Sequence, residues 1–277
     1  MGRSIAIVTG SSSGFGLLTV LELAKAGFQV AATMRDIQKA VPLIEHAKKL
    51  NIETSIIIHE LDVTREESVK ELRLLIEKMG RVDVLVNNAG YAAGGFAEEI
   101  SIKSYQNQFE TNVFGVIRVT QAVLPFMRKQ GSGKIITISS ISGKIAFPGL
   151  SPYVASKHAI EGWSECLRLE MKPFGVDVVL LEPGSFKTNI WSTGKQVTDS
   201  QPDSPYYPFM RKIEKYLEAG ADRYGDPQDV SLIISKIAAM NKPGLRFPIG
   251  KGVKLSIFLR NLLPWRLWEK IVWKKLT

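Results

Sequence analysis

The sequence predicts an α/β fold in which a doubly wound parallel sheet is flanked by helices and followed by a C-terminal amphipathic helical extension. Three observations carry this. Short β-branched runs recur at Ile5–Val8, Thr54–His59, Val82–Val86, Ile135–Ser139 and Val176–Leu181. Between them stand segments whose apolar residues return every three or four positions, the alternation of βαβ units. With 277 residues, 45% of them hydrophobic, the chain is long enough to bury both faces of such a sheet.

Taken in order, Ile5–Val8 is a strand meeting a Thr9-Gly10 turn, and Leu17, Val20, Leu21, Leu23 and Ala24 give a helix that ends near Gly27. Phe28–Thr33 is the second strand. Helix 40–50, strand 54–59, helix 66–79 and strand 82–86 repeat the pattern, the last strand running into Asn87-Asn88-Ala89-Gly90. A long helix spans Ser101 to Arg128. It carries Asn112, a poor helix former, so a local distortion is expected there. Strand 176–181 precedes Pro183-Gly184, helix 229–240 follows, and Gly244–Ile249 is a last short strand. Residues 189–226 break the rhythm with Pro202, Pro205 and Pro208 among Trp191, Tyr206, Tyr207 and Phe209. A loop of that length reads as a lid or binding segment. Its aromatics fit an apolar ligand or ordinary packing.

Two stretches carry chemistry. Gly10, Gly14 and Gly16 are spaced Gly-x-x-x-Gly-x-Gly between a strand and a helix. Glycines there let the backbone approach a pyrophosphate whose charge lies on the helix N-terminus. About 20 residues on, where an acidic residue would hold a ribose 2′-hydroxyl, stand Met34, Arg35 and Asp36. A guanidinium suits a 2′-phosphate, which favours NADP(H) over NAD(H). Asp36 is either the ribose acceptor or a helix cap. Asp62 is either an adenine contact or a turn carboxylate.

In the second stretch Ser140 lies just past a strand's carboxyl end, where open α/β sheets place ligands. Tyr153 and Lys157 follow four apart on one helix face. A phenol titrates near 10, and bringing it to 7 or 8 requires ~3–4 kcal/mol of phenolate stabilisation. A neighbouring ammonium is the kind of group that supplies it. Tyr153 would then be a general acid/base for alcohol–carbonyl interconversion, with Ser140 hydrogen-bonding the developing oxyanion. On its own, a Tyr-x-x-x-Lys pair is equally a half-buried aromatic beside a solvated lysine.

Composition narrows the classes. The single cysteine, Cys166, rules out an internal disulfide framework and fits a reducing, cytoplasmic setting. Three scattered histidines offer no metal-ligand spacing. No secretory leader is expected, and no apolar run approaches the ~18 residues of a membrane span. Of the net charge of +9, residues 250–277 supply six through seven Lys/Arg and one Glu. The basic balance therefore belongs to the tail and does not argue for nucleic acid.

Together, Thr9-Gly10-x-x-x-Gly14-x-Gly16, Asn87-Asn88-Ala89-Gly90, Asn112, Ser140, Tyr153-x-x-x-Lys157 and Pro183-Gly184 resemble the short-chain dehydrogenase/reductase family, in its single-domain branch, from about Ser4 to Gly250. The resemblance implies a Rossmann-type catalytic domain over residues 1–250, including the 189–226 segment, with 251–277 outside it. It implies a tetrad of Asn112, Ser140, Tyr153 and Lys157. Tyr153 would exchange the proton, Ser140 would orient the substrate oxygen, and Lys157 would hold the nicotinamide ribose and depress the Tyr153 pKa. Asn112 would position a water. Gly10, Ser12, Gly14, Phe15 and Gly16 would form the phosphate turn. Asp62 and Asn87 would sit by the adenosine, Thr188 by the carboxamide, and Pro183 and Gly184 beside the cofactor. Homo-oligomerisation is a further family expectation. The wording YVASKHAIEG and ATMRD is similar to hydroxysteroid and retinol dehydrogenases. One departure is Ser13, where many NADP-using relatives carry Lys or Arg, so the 2′-phosphate would rest mainly on Arg35.

In the tail, Leu255, Phe258, Leu259, Leu262 and Leu263 form one stripe, Pro264 restarts the helix, and Leu267, Trp268, Ile271 and Val272 continue it among basic residues. Packing or pocket closure is favoured there over contact with an anionic membrane surface. The expected activity is NADP(H)-dependent interconversion of an alcohol and its carbonyl on a fairly apolar small molecule. The alternatives are a dinucleotide-binding regulator on the same fold, which usually goes with a damaged tetrad, and a peripheral membrane protein with a vestigial fold.

Overall fold

The computed structural model describes residues 3–188, 190, 202–220, 222 and 224–276. Seven parallel strands form one sheet: β1 (Ile5–Thr9), β2 (Gln29–Met34), β3 (Ile56–Glu60), β4 (Val84–Asn87), β5 (Gly133–Ile138), β6 (Val176–Pro183) and β7 (Arg246–Ile249). Their order is β3-β2-β1-β4-β5-β6-β7. Chain direction across the sheet reverses between β1 and β4, paired in register as Ala6 with Val84 and Val8 with Val86. That is the switch point where α/β sheets open a crevice at the strand carboxyl ends.

The β-branched runs become central strands because both faces are covered. One face packs under α1 (Gly14–Lys25), α2 (Val41–Lys49) and α8 (Pro227–Ala239), with Val20, Leu23, Val230 and Ile234 fully buried. The other packs under α3 (Glu66–Met79), α5 (Gly115–Gln130) and α6 (Ser151–Met171), through Leu72, Ile76, Val123 and Met127. Each such side chain contributes about 1.5–3 kcal/mol by leaving water.

Two helical readings change. The expected helix from Ser101 to Arg128 is α4 (Ile102–Phe109) joined to α5 by a π-helical turn over Glu110–Phe114. Asn112 sits inside that turn, so the expected distortion is there. Residues 189–226 are not one long loop: α7 (Tyr207–Gly220) occupies much of the second half. Pro208 falls in its first turn, where a missing N–H costs nothing, so the proline that suggested a loop starts a helix. Tyr206 stacks on Phe96 at 4.6 Å, and Phe209 lies 5.4 Å from the same ring. These aromatics therefore pack; Trp191 lies outside the described residues. The tail forms α9 (Val253–Leu262) and α10 (Trp265–Leu276), with Pro264 between them. Among the described residues no helix is long and apolar enough to cross a membrane.

Candidate active site

The turn after β1 is built so that backbone comes close to backbone. Gly10 and Gly14 sit at φ 67° and 55°, a region L side chains rarely adopt. A Cβ on Gly10 would lie 2.8 Å from the Ala89 Cα, and one on Gly16 only 2.3 Å from the Gly10 carbonyl oxygen. Gly16 does not line the cavity; its smallness lets α1 start directly beneath the turn. The turn is tied to the end of β4. Asn88 Nδ2 donates to the carbonyls of Thr9 and Gly10, both at 2.9 Å. Thr9 Oγ1 accepts from the N–H groups of Asn88 at 3.0 Å and Ala89 at 2.9 Å. Ser13, the N-cap of α1, makes no side-chain capping bond, so the first amides of that helix offer themselves to an anion. Ser12, Gly14 and Phe15 line the same cavity. A diphosphate-bearing dinucleotide fits this cradle.

Arg35 and Asp36 both line the groove, and so does Lys39, which sequence reasoning passed over. The Asp36 carboxylate caps the following 3₁₀ turn by accepting from Gln38 N at 3.0 Å, and lies 3.8 Å from Lys39. It is a helix cap that also faces the groove. Asp62 accepts from Thr64 N at 2.9 Å and Thr64 Oγ1 at 2.7 Å, a turn carboxylate that also lines the cavity. Asn87 is not in the cavity. As the last residue of β4 it points to the α5 side, with Nδ2 donating to Thr120 Oγ1 at 2.9 Å. Its neighbour Asn88 faces the groove instead, as alternation along a strand requires. Pro183, Gly184 and Thr188 line the cavity from β6 and the loop beyond it.

Ser140, Tyr153 and Lys157 converge at the far end of the groove and are all buried. Burial pushes the Tyr153 phenol up to about 12, and its hydrogen bond with Ser140 pulls the other way. Burial lowers Lys157 to about 8, with Glu161 raising it. Lys157 Nζ donates to the Ile138 carbonyl at 2.7 Å and stands 5.6 Å from the centre of the Tyr153 ring. Burial disfavours the charged form of both groups. Asn112 lies outside the cavity lining. Its Oδ1 accepts from Tyr91 N at 3.1 Å, and its Nδ2 donates to Tyr91 O at 2.9 Å and Ser156 Oγ at 3.3 Å. It pins the segment after β4 to α6.

Behind Lys157 is a charge cluster that sequence reasoning missed. Glu161, one turn beyond Lys157, accepts from Ser139 Oγ at 2.6 Å and from Arg246 Nε at 3.0 Å. Arg246 also reaches Glu182, which is 1% exposed, at 3.2 Å. Burial and the neighbouring Glu161 raise Glu182 to about 7, against Lys144 and Arg246. The Tyr-x-x-x-Lys-x-x-x-Glu spacing on α6 was the available signal; the partners on β6 and β7 were not visible in local sequence.

The groove opens into a chamber, the two together forming a cavity of about 1420 Å³. Ile145, Met210, Ile213, Trp268 and Val272 line it, bringing α7 and α10 to the site. The tail's inner side thus closes the cavity, and Trp273 packs on Phe209 at 5.3 Å.

A Gly-rich cradle at a parallel-sheet switch point, meeting a Ser–Tyr–Lys cluster beside an apolar chamber, defines a dinucleotide-binding oxidoreductase. The family model for short chain dehydrogenase matches residues 4–198. The chain belongs to the short-chain dehydrogenase/reductase family and is an oxidoreductase of the kind that uses a nicotinamide dinucleotide. It is 50% identical to the uncharacterized oxidoreductase YusZ of Bacillus subtilis, over 100% of this chain and 99% of that one. It is 36% identical to a 3-ketodihydrosphingosine reductase of Bacteroides thetaiotaomicron, covering 92% and 91%. Among solved structures it resembles a short-chain dehydrogenase from Streptomyces avermitilis (TM-score 0.82, 34% identity, 98% and 97% covered). It also resembles a single-site variant of actinorhodin polyketide ketoreductase with NADPH (TM-score 0.76, 30% identity, 91% and 97% covered).

Proposed function

We propose that this protein is an NADP(H)-dependent reductase that interconverts a carbonyl and its alcohol on an extended, apolar small molecule. The observation that carries the reading is the meeting of the groove and the apolar chamber at the Ser140–Tyr153 hydrogen bond. The dinucleotide supplies the hydride when bound. Tyr153, kept protonated by burial, donates its proton to the carbonyl oxygen as the hydride reaches the carbon, and Ser140 orients that oxygen. Lys157 holds the nicotinamide ribose. The Gly10–Phe15 turn takes the diphosphate on the α1 amides. Pro183, Gly184 and Thr188 border the nicotinamide, and Asp62 borders the adenosine.

The choice of NADP(H) rests on Arg35 and Lys39 in the groove, with Asp36 already engaged as a cap. The similarity to a 3-ketodihydrosphingosine reductase supports a long apolar substrate. A homo-oligomer in a reducing cytoplasm completes the reading, supported by the exposed Ile102, Phe114 and Leu169 and the lone Cys166.

Parallel tryptophan-fluorescence titrations with NADPH and NADH test this, Trp268 being a reporter in the cavity wall. Wild type is expected to prefer NADPH. Arg35→Ala should weaken NADPH by at least about tenfold while changing NADH little, as loss of one charge-assisted phosphate contact requires. Equal losses for both dinucleotides would remove Arg35 from the 2′-phosphate and return the ribose to Asp36.

A further inference from the structure

The outer side of the tail has no partner in the fold. On α9, Leu255, Phe258, Leu259 and Leu262 share one stripe and are 37–65% exposed. On α10, Trp265 and Leu267 are exposed as well. Isolated exposed leucines are ordinary, but a run this dense on two consecutive helices marks a docking face. Lys251, which also lines the cavity, Lys254, Arg260, Arg266, Lys270 and Lys274 accompany it, with Glu269 the single acid. Among the described residues none of these six cations pairs with a carboxylate; Arg260 instead stands over the Trp265 ring at 4.9 Å.

We infer that α9 and α10 seat the protein on an anionic lipid bilayer surface. Apolar side chains, interfacial tryptophan and unneutralised cations on short helices suit the boundary between headgroups and acyl chains. Charge decides against a second copy as occupant: a two-fold contact would set the basic helices against themselves, whereas an anionic surface complements them. The docking holds whatever the chemistry at Tyr153. It leaves the inner side of α10, with Trp268 and Val272, as cavity wall, so the lipid-facing element and the apolar chamber share that helix.

Co-sedimentation of the full chain with phosphatidylcholine vesicles, with and without phosphatidylglycerol, tests the inference. Wild type should pellet with the anionic vesicles, stay in solution with phosphatidylcholine alone, and release as salt rises. The double substitution Leu255→Glu/Phe258→Glu and the double substitution Lys254→Glu/Lys270→Glu should each lower the partition at least about tenfold. All four positions are exposed and none lines the cavity. Thermal melting and NADPH titration of each variant should match wild type, separating loss of docking from loss of fold or of cofactor binding. Wild type remaining in solution with anionic vesicles would overturn the inference, as would a Leu255→Glu/Phe258→Glu variant that binds like wild type. A dimer dispersed by that substitution, without vesicle binding, would assign the face to a second copy.

Discussion

Tyr153, Lys157 and Glu182 are ionisable groups that the fold holds away from water, and each is displaced toward its neutral form. For Tyr153 that favours the protonated phenol. For Lys157 it leaves a cation that deprotonates near 8, with Glu161 on the next turn opposing the loss. Glu182 gives the clearest pH signature. Its folded value of about 7 lies above the ordinary 4.5, so between those values the folded chain keeps a proton that the unfolded chain releases. Stability from this group therefore falls as pH rises through that window, and the cost is complete above pH 7. Glu182→Gln, a neutral isostere, should gain melting temperature relative to wild type between about pH 5 and about pH 8. A difference that stays constant or shrinks across that range would show Glu182 ionised throughout.

The π-helical turn between α4 and α5 is the element on which the site's floor depends. It turns Asn112 inward, where the side-chain amide satisfies both backbone groups of Tyr91. Asn112→Ala leaves the Tyr91 N–H without its partner, while the carbonyl keeps Gln108, and should cost about 1–3 kcal/mol in urea unfolding. A variant as stable as wild type would mean that the Tyr91 segment is held by other contacts, such as Gln108 Nε2 to the Tyr91 carbonyl at 2.8 Å. Strand and helix periodicities made most elements legible, because a sheet covered on both faces needs continuous apolar strands such as Ile135–Ile138. The distortion at Asn112 was legible too, since helix propensity is local. What escaped was set by direction or distance. Asn87 and Asn88 are adjacent and chemically identical, and only the strand's register decides which one meets Gly10. Pro208 reads as a breaker until its place in the first turn of α7 is known. Lys39 and Arg246 act on groups set by a following turn or by strands far along the chain, which no local pattern marks.

At the scale of the whole molecule, the sheet's switch point fixes one end of the site and the tail closes the other. The β1 and β4 ends carry the cradle, β5 and α6 carry Ser140, Tyr153 and Lys157, and α7 and α10 wall the chamber. In the proposed function, hydride and proton delivery meet where an apolar chain has room to lie. The direct test is NADPH consumption with a long-chain aliphatic ketone by wild type and Tyr153→Phe, with NADPH affinity measured on both. The account predicts turnover by wild type, and a variant that binds NADPH as before but reduces the ketone at least about 100-fold more slowly, the loss expected for a positioned acid. A variant that turns over at the wild-type rate, or that loses NADPH affinity together with turnover, would contradict the role given to Tyr153.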